Sequence, residues 1–261
     1  MSQPGAAFSL REIGLRIGER TVLHPLTLEL PAGAVTGLLG HNGSGKSTLM
    51  KILARQLQPD SGEIDLFGTP LAAHAPRRLA RSLAYLPQHT PDTDGLTVRE
   101  LAALGRYPWH GPFGRVGDLD RQKTETALAM TNLLPLADRL VDTLSGGERQ
   151  RAFLAMLVAQ DAVCLLLDEP ISALDVAQQI DVMAFVRRQA TEHGRSVVVI
   201  LHDLNIAARF CDRLVVLSRG RVAAQGTPDA LLHPDRLEAL YGVPMGVFPH
   251  PASGRPVTYV L

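Results

Sequence analysis

A glycine-rich segment, Gly40-His41-Asn42-Gly43-Ser44-Gly45-Lys46-Ser47-Thr48, follows directly after the apolar run Val35-Thr36-Gly37-Leu38-Leu39. The run predicts a buried strand, and the residues after the glycines predict a helix from Ser47 to Leu57. Glycines allow a tight turn that brings backbone N–H groups against phosphate oxygens, and a helix start favours an anion. Lys46 adds a positive charge for the terminal phosphates, and Ser47 offers a hydroxyl to Mg²⁺. The pattern therefore predicts a site for the phosphates of a nucleoside triphosphate.

Length and charge narrow the class of protein. With 261 residues the chain is long enough for one α/β domain that carries a helical insertion, and equally for two domains. The 26 Lys and Arg residues balance 26 Asp and Glu residues, and the basic ones are scattered in short pairs such as Arg77-Arg78 and Arg187-Arg188. Proteins that bind nucleic acid usually carry a basic stripe. We therefore expect no nucleic acid among the partners.

The apolar segments are too short to cross a membrane. The longest of them, Ala152–Leu167, carries Gln160 and Asp161 in its middle. Residues Met1–Ala7 lack the basic start and apolar core of a secretion signal. The sequence therefore predicts a chain of the cytosolic compartment that does not itself span the membrane.

The first part of the chain reads as antiparallel strands around the phosphate loop. Residues 8–30 consist of short strand-like runs that alternate apolar and polar side chains. The turn Pro59-Asp60-Ser61-Gly62 then leads into an alternating segment over residues 63–67. We therefore expect an antiparallel β subdomain next to the strand that feeds the loop.

The remainder predicts a helical insertion and a parallel sheet. Residues 89–160 are mostly helical in pattern, whereas strands and helices alternate over 161–261. Such alternation predicts parallel strands covered by helices, so the sheet as a whole is mixed. We expect one α/β domain over 1–261, in which 1–88 and 161–261 form the core with its β subdomain and 89–160 form a helical subdomain.

Two adjacent acids follow a second apolar run, Cys164-Leu165-Leu166-Leu167. Asp168 and Glu169 therefore lie at the carboxyl end of a buried strand, which is the edge where open α/β sheets bind ligands. Phosphoryl transfer needs one carboxylate near the metal and a group that orients or deprotonates the attacking nucleophile. We expect Asp168 to hold Mg²⁺ and Glu169 to act as the general base for water.

A third motif, Leu144-Ser145-Gly146-Gly147-Glu148-Arg149-Gln150, opens another predicted helix and offers a second anion-accepting helix start. Together with the phosphate loop and the acid pair, it resembles the nucleotide-binding subunit of ATP-binding cassette (ABC) transporters. The resemblance covers nearly the whole chain. It implies the P-loop NTPase fold of the ABC ATPase type, with ATP and Mg²⁺ as ligands.

The resemblance also implies roles for residues that would be unremarkable alone. Gln88 matches the glutamine that links the nucleotide to the helical insert, and His202 matches the histidine that touches the terminal phosphate. Ser172-Ala173-Leu174-Asp175 matches the loop exchanged between subunits. Two such subunits pack head to tail in the family, so Ser145 and Gly147 of one cover the triphosphate held by the other. The implied catalytic residues are Glu169, His202 and Gln88, the nucleotide ligands are Gly40 to Thr48 with Ser145, Gly147 and Ile17, and the Mg²⁺ ligands are Ser47, Gln88 and Asp168.

Three longer phrases resemble the ATPase subunits of bacterial ferric hydroxamate siderophore importers, namely Gly105-Arg106-Tyr107-Pro108-Trp109-His110, Leu157-Val158-Ala159-Gln160-Asp161 and Tyr241-Gly242-Val243-Pro244-Met245. This implies an ATPase that energises uptake of iron(III)-hydroxamate siderophores across the inner membrane. It implies a homodimer bound peripherally to permease subunits on the cytoplasmic face, supplied indirectly by a periplasmic siderophore-binding protein. Trp109 has two interpretations at this point: an exposed aromatic that docks the permease's coupling helix, or the anchor of a surface loop.

Two positions depart from the family pattern. Ile17 stands just before Gly18, where many members have an aromatic residue that stacks on adenine, so the base would meet an aliphatic contact. Ile171 stands where threonine is usual and removes a hydroxyl near the exchanged loop.

Two alternatives stay open at the level of sequence. The cargo never touches this subunit, so haem, cobalamin or another iron chelate would leave the same motifs. A soluble ABC ATPase that acts on nucleic acid is the other alternative. Such proteins usually carry two cassettes or a long coiled-coil insert with basic surface, and this sequence has neither.

Overall fold

The computed structural model describes residues 5–111 and 114–261. The strands in these residues are, in chain order, β1 Ala6–Ile17, β2 Arg20–Pro31, β3 Val35–Leu39, β4 Ser61–Leu66, β5 Thr69–Pro70, β6 Leu83–Leu86, β7 Cys164–Leu167, β8 Ser196–Ile200, β9 Arg213–Ser218, β10 Arg221–Gly226, β11 Met245–Pro249 and β12 Pro256–Val260. The helices are α1 Lys46–Leu53, α2 Pro76–Ser82, α3 Val98–Leu104, α4 Tyr107–His110, α5 Asp118–Met130, α6 Gly146–Gln160, α7 Val176–Thr191, α8 Leu204–Phe210, α9 Pro228–Leu231 and α10 Pro234–Tyr241. Single 3₁₀ turns lie at Leu71–Ala73, Leu134–Leu136 and Val141–Thr143.

The chain divides into two compact units. The first comprises Met1–Ala73 and Val186–Leu261, and the second comprises His74–Phe185. The finer division expected from the sequence, with a helical subdomain over 89–160, stays a prediction.

The first unit contains the expected antiparallel sheet, with strand order β2-β1-β4-β5. Phe8 of β1 pairs with Leu30 on one side and with Leu66 on the other. All three side chains are fully buried. The alternation of apolar and polar residues therefore places one face of this sheet in the core, as a half-buried strand pattern requires.

The same unit holds the strand that feeds the phosphate loop. The local strand order is β10-β9-β3-β8, in which β3 runs parallel to both neighbours and β10 is antiparallel to β9. Every residue of β3 is buried, as expected for a central parallel strand. A mixed sheet beside an antiparallel β sheet confirms the fold class predicted from the sequence. Because parallel strands end at the same edge, the segments that follow β3 and β8 lie side by side.

The second unit consists of helices with two parallel strands, β6 and β7. Its longest internal helix, α6, buries Phe153 and Leu157. A buried ion pair ties the helices together, because Arg106 Nε donates to Asp120 Oδ1 at 3.0 Å and Arg106 Nη1 donates to the carbonyl of Ala159 at 2.8 Å. Paired in this way, the buried charges satisfy one another.

The C-terminal tail is more regular than the sequence predicts. Its prolines favour an irregular tail with one last strand over 257–260, but the structure forms an antiparallel hairpin of β11 and β12. Pro249 pairs with Pro256 at the end of this ladder. Proline is tolerated at strand ends, where its missing N–H breaks no internal ladder bond.

Candidate nucleotide-binding site

The phosphate loop lies between β3 and α1 in the first unit, and two of its positions require glycine. Gly40 has φ of 138° and Gly45 has φ of 103°, a region that L side chains rarely adopt. A Cβ at Gly40 would lie 2.1 Å from the carbonyl oxygen of Leu217, and a Cβ at Gly45 would lie 2.6 Å from Cδ2 of Leu23. The loop therefore approaches its neighbours more closely than any other residue type allows.

Hydrogen bonds fix the loop both from outside and from within. The N–H of Gly220 donates to the carbonyl of Ser44 at 3.0 Å, and the N–H of Ser44 donates to the carbonyl of His41 at 3.2 Å. Lys46 Nζ donates to the carbonyls of Gly40 at 2.7 Å and His41 at 3.0 Å. The carbonyl of His41 thus accepts two of the bonds that shape the loop.

The loop is built to receive an anion. Ser44 Oγ is buried and has no hydrogen-bond partner among the residues that the structure describes. An unpaired buried polar atom costs free energy, so this hydroxyl favours a bound acceptor. Lys46 is only 5% exposed, and no side chain caps the start of α1 at this residue. Ser47 and Thr48 are half-buried in the first turn of the same helix. A triphosphate fits these donors and this positive charge.

A pocket of about 700 Å³ opens beside the loop and contributes two further cationic groups. Its walls include Arg20, Val22, His41, Asn42, Arg219 and Tyr241. A Cβ at Gly43 would lie 3.9 Å from Arg20 Nη2, so this guanidinium lies next to the loop. Ile17 pairs with Arg20 across the β1–β2 hairpin and is 58% exposed, but it does not line the pocket. Ile17 is therefore exposed in the structure, and its contact with the adenine base of ATP stays a prediction.

His202 belongs to the same edge of the first unit as the phosphate loop. β8 runs parallel to β3 with Ile200 opposite Leu38, and the N–H of Leu201 donates to the carbonyl of Leu38 at 3.2 Å. His202 follows directly and is exposed, and Asp203 then caps α8. The chain thus brings His202 to the end of the strand next to Gly40, as the strand order predicts.

The acid pair lies in the second unit at the carboxyl end of β7. All four residues of β7 are buried, and Leu167 pairs with Leu86 of β6. The N–H of Asp168 donates to the carbonyl of Leu86 at 2.9 Å, and Asp168 is 2% exposed. Burial and the nearby Asp168 carboxylate raise the pKa of Tyr85 to about 12. The buried carboxylate and the buried phenol therefore share one small polar region beneath the strand ends.

Gln88 and Glu169 contact each other directly. Gln88 Nε2 donates to Glu169 Oε2 at 2.8 Å. Glu169 itself has φ of 52°, a strained value for a residue with a side chain. The structure thus unites three predicted residues, Gln88, Asp168 and Glu169, in one cluster. The neighbouring Ile171 is 6% exposed, so the aliphatic side chain at this unusual position fills an apolar space.

The Ser-Gly-Gly motif forms the predicted helix start, also in the second unit. Ser145 is the N-cap of α6, and its side chain and N–H exchange hydrogen bonds with Glu148 in a capping box. These bonds from Ser145 lower the pKa of Glu148. A Cβ at Gly147 would lie 2.4 Å from Oε1 of Gln178, so this glycine seats the helix start against α7. Ser145 remains exposed and faces outward.

The contacts of Trp109 favour one of its two interpretations. Its Nε1 donates to the carbonyl of Gln160 at 2.7 Å, and the guanidinium carbons of Arg81 and Arg106 lie 4.8 and 4.9 Å from the centroid of its ring. These contacts anchor Trp109 within the second unit and leave it only partly exposed, which favours the loop anchor, and a role in docking the permease stays a prediction. The exposed aromatic of the phrase is Tyr107, which is 52% exposed. Residues 112–113 of the same loop lie outside the described residues.

Arg20, Arg219 and Tyr241 are pocket residues that sequence reasoning missed. They come from a hairpin end, a strand end and a helix end that are distant along the chain. Gly242 after Tyr241 was a readable signal for a helix end, since it takes up the left-handed conformation there. No local signal places Tyr241 beside the loop.

The chain is similar to known proteins over most of its length. The family model described as ABC transporter matches residues 23–172, which is more than half of the chain. The iron(3+)-hydroxamate import ATP-binding protein FhuC of Bacillus subtilis (strain 168) is 36% identical over 251 residues, covering 96% of this chain and 93% of that protein. The hemin import ATP-binding protein HmuV of Pseudomonas putida is 44% identical over 245 residues, covering 92% of this chain and 94% of that protein.

Solved structures agree with the fold. A metal-chelate type ABC transporter in an inward-facing conformation matches with a TM-score of 0.85 at 27% identity, covering 98% of both chains. A dimeric bacterial ABC transporter cassette matches with a TM-score of 0.74 at 26% identity, covering 84% of this chain and 98% of that one. In the part of this chain that the structure describes, no helix is both long and apolar enough to cross a membrane. The chain belongs to the ABC transporter family, as an ATP-binding subunit that hydrolyses ATP to drive transport.

Proposed function

We propose that this chain powers an importer of iron chelates, with iron(III)-hydroxamate siderophores as the first candidate cargo. The observation that carries the proposal is the similarity to the hydroxamate import ATPase along 96% of this chain. The resemblance of the segment around Trp109 and of the segment after Tyr241 to such importers supports the same cargo. The subunit then acts on the cytoplasmic face of the inner membrane as a peripheral protein.

Residues of the phosphate loop are proposed to hold the triphosphate. The unpaired hydroxyl of Ser44, the charge of Lys46 and the amides around them support this role. Ser47, Gln88 and Asp168 are proposed to hold Mg²⁺, since hydroxyl, amide and carboxylate oxygens are the hard ligands that this ion prefers. When bound, Mg²⁺ neutralises charge on the phosphate oxygens.

Glu169 is proposed as the general base for hydrolysis. Its carboxylate takes a proton from water as the water oxygen bonds to the terminal phosphorus and the bond to the bridging oxygen breaks. The hydrogen bond from Gln88 restricts the carboxylate to one orientation, which supports a positioned base. His202 is proposed to donate a hydrogen bond to the terminal phosphate, a role that its place beside the end of β3 supports.

Two copies of the chain are proposed to close on ATP. Ser145 is exposed at a helix start, which supports a role of its hydroxyl, together with the amide of Gly147, in covering a phosphate held by a second copy. Binding energy spent on this closure shifts the population toward the dimer, and product release reverses it. The dimeric structure of a related cassette supports the proposal.

The permease contact is proposed to lie on the helical residues 89–160. Tyr107 and Leu104 are 52% and 51% exposed in this segment, and exposed apolar side chains favour a partner surface. A solute-binding protein in the periplasm would deliver the chelate to the permease and reach this subunit only indirectly.

Replacement of the base tests the proposed chemistry. In Glu169→Gln the turnover of ATP should fall by about a hundred- to ten-thousandfold while ATP still binds, because only the proton acceptor is lost. Glu192→Gln removes an equivalent charge from an exposed site on the first unit and serves as the matched control. Unchanged turnover in Glu169→Gln would contradict the assigned role.

The cargo needs a separate experiment. The complete complex with its membrane subunits is reconstituted in lipid, and ATP hydrolysis is measured with ferric hydroxamates and their binding protein, with haem, and with cobalamin. Stimulation by a ferric hydroxamate supports the first candidate. Stimulation by another chelate alone would reject it without affecting the ATPase assignment.

Haem is the second candidate cargo, and one observation favours it. The hemin import relative is 44% identical to this chain, a higher value than the 36% of the hydroxamate relative. Haem stimulation in the same reconstituted complex would establish this alternative. Stimulation of the complex therefore tests the cargo, whereas the Glu169→Gln variant tests the ATPase activity of the subunit.

A further inference from the structure

We infer that Tyr241 is a positioning residue for the phosphate loop, which it holds through the ring of His41. The two ring centroids are 5.4 Å apart and the ring planes meet at 61°, an edge arrangement. Edge-to-face pairs of aromatic rings are favourable beyond the area that they bury. The inference goes beyond the proposed cargo and depends only on ATP binding at the loop.

A contact with the ring of His41 affects the phosphate loop because the main chain of His41 accepts two of the loop's hydrogen bonds. Its carbonyl oxygen accepts from Lys46 Nζ at 3.0 Å and from the N–H of Ser44 at 3.2 Å. A shift of His41 therefore moves the acceptor of the loop lysine and releases the amide that sets the next turn. The side chain of His41 is itself exposed, so its ring is not fixed by burial in the core.

Tyr241 is well placed because the helix that carries it has fixed ends. α10 spans eight residues and buries Leu237, which is 1% exposed. The helix stops at Tyr241 because Gly242 adopts a left-handed φ of 74° and its N–H donates to the carbonyl of Glu238 at 2.7 Å. The helix therefore ends at the residue whose ring contacts His41 of the loop.

The segment after α10 is also tied to the first unit. The N–H of Thr258 in β12 donates to Asn205 Oδ1 at 2.7 Å, and Asn205 Nδ2 donates back to the carbonyl of Thr258 at 3.1 Å. Arg255 Nη1 donates to the carbonyl of Ala208 at 2.8 Å. These three bonds anchor the hairpin that follows Tyr241 to α8.

The ring of Tyr241 borders open space and not a filled core. It lines the pocket of about 700 Å³ together with His41. Burial raises the pKa of Tyr241, so the ring is partly enclosed on its other side. Loss of the ring therefore enlarges an existing pocket, and its main effect falls on the loop and not on folding.

The expected phenotype is a change in ATP affinity. Tyr241→Ala should raise KM for ATP by about two- to tenfold, the worth of an aromatic pair, and should change kcat less than twofold. Tyr241→Phe keeps the ring and should restore the wild-type KM. Tyr241→Leu keeps apolar bulk without a ring and should behave as Tyr241→Ala, which separates the ring contact from space filling.

A double-mutant cycle identifies the partner. His41→Ala alone should raise KM by a similar factor, and His41→Ala with Tyr241→Ala should add little to either single change. Tyr259→Ala removes a half-exposed tyrosine of the same C-terminal segment that contacts Phe248, and it is the matched control. ATP titration of each purified variant measures its affinity for ATP, and thermal unfolding measures its stability.

The inference would be overturned by a wild-type KM in both Tyr241→Ala and Tyr241→Leu, or by a KM in Tyr241→Phe that stays as high as in Tyr241→Ala. It would also be overturned if the increase in KM of the double variant equalled the product of the two single increases. A KM change in Tyr259→Ala equal to that in Tyr241→Ala would overturn it as well, since the effect would then be general to the tail. Cargo plays no part in these measurements. Failure of the siderophore proposal therefore leaves their outcome unchanged.

Discussion

Replacement of Gly40 by alanine should show how closely the phosphate loop depends on glycine. A residue with a side chain at positive φ costs about 1–2 kcal/mol. The new Cβ would also lie 2.1 Å from the main-chain oxygen of Leu217, so backbone must move, and overpacking of this kind costs about 1–3 kcal/mol more. Gly40→Ala should therefore lose about 2–5 kcal/mol of stability, or the loop should relax out of shape and bind ATP at least about tenfold more weakly.

Gly68→Ala is the matched control for this prediction. Gly68 has φ of 75° in a turn, and a Cβ there would meet nothing within 4 Å. This variant should show only the backbone cost of about 1–2 kcal/mol and should bind ATP normally. Thermal unfolding without nucleotide and titration with a fluorescent ATP analogue compare the two. Equal unfolding temperatures together with equal ATP affinities would refute the steric reasoning.

Three further outcomes follow from the same structure. Lys46→Ala should weaken ATP binding by at least about tenfold because it removes a buried positive charge. Wild-type affinity for ATP in an equilibrium titration would contradict the role of Lys46 in the phosphate loop. Cys164 and Cys211 should resist a thiol reagent at pH 8 until the chain is unfolded in guanidinium chloride. The reason is that burial raises the pKa of both thiols, that of Cys211 to about 12. Rapid labelling of the native protein would show instead that the two thiols are accessible. Since hydrogen bonds from Ser145 lower the pKa of Glu148, the cap stabilises the protein above the ordinary carboxyl value of 4.5 and is lost as the pH falls through the lower folded value. Urea unfolding from pH 6 to pH 3 should therefore show a steeper loss for wild type than for Glu148→Gln, and parallel curves would exclude the linkage.

The parts of the fold that the sequence predicted are those encoded locally. The phosphate loop needs positive φ at Gly40 and Gly45, and only glycine provides it cheaply, so the spacing of glycines reveals the turn. The acids at Asp168 and Glu169 follow a run of buried residues, and such a run ends at the ligand-binding edge of a parallel sheet. Both features depend on neighbours within a few residues.

Features set by distant contacts were not predictable in the same way. Whether Trp109 faces solvent depends on Arg81 and on the carbonyl of Gln160, which are far away along the chain. The contact of Tyr241 with His41 joins two segments of one unit that are far apart along the chain. Side-chain periodicity carries no information about such pairs.

Sedimentation of the Glu169→Gln chain with and without Mg²⁺ and ATP tests most directly the claim that two copies share the nucleotide. The account predicts monomers without ATP and dimers with it, because loss of the base prevents the hydrolysis that reopens the pair. Ser145→Arg in the same background should abolish the dimer, since the bulky cation occupies the helix start that covers the phosphate. A chain that stays monomeric with bound ATP, while the wild type hydrolyses ATP at its full rate as a monomer, would contradict the account.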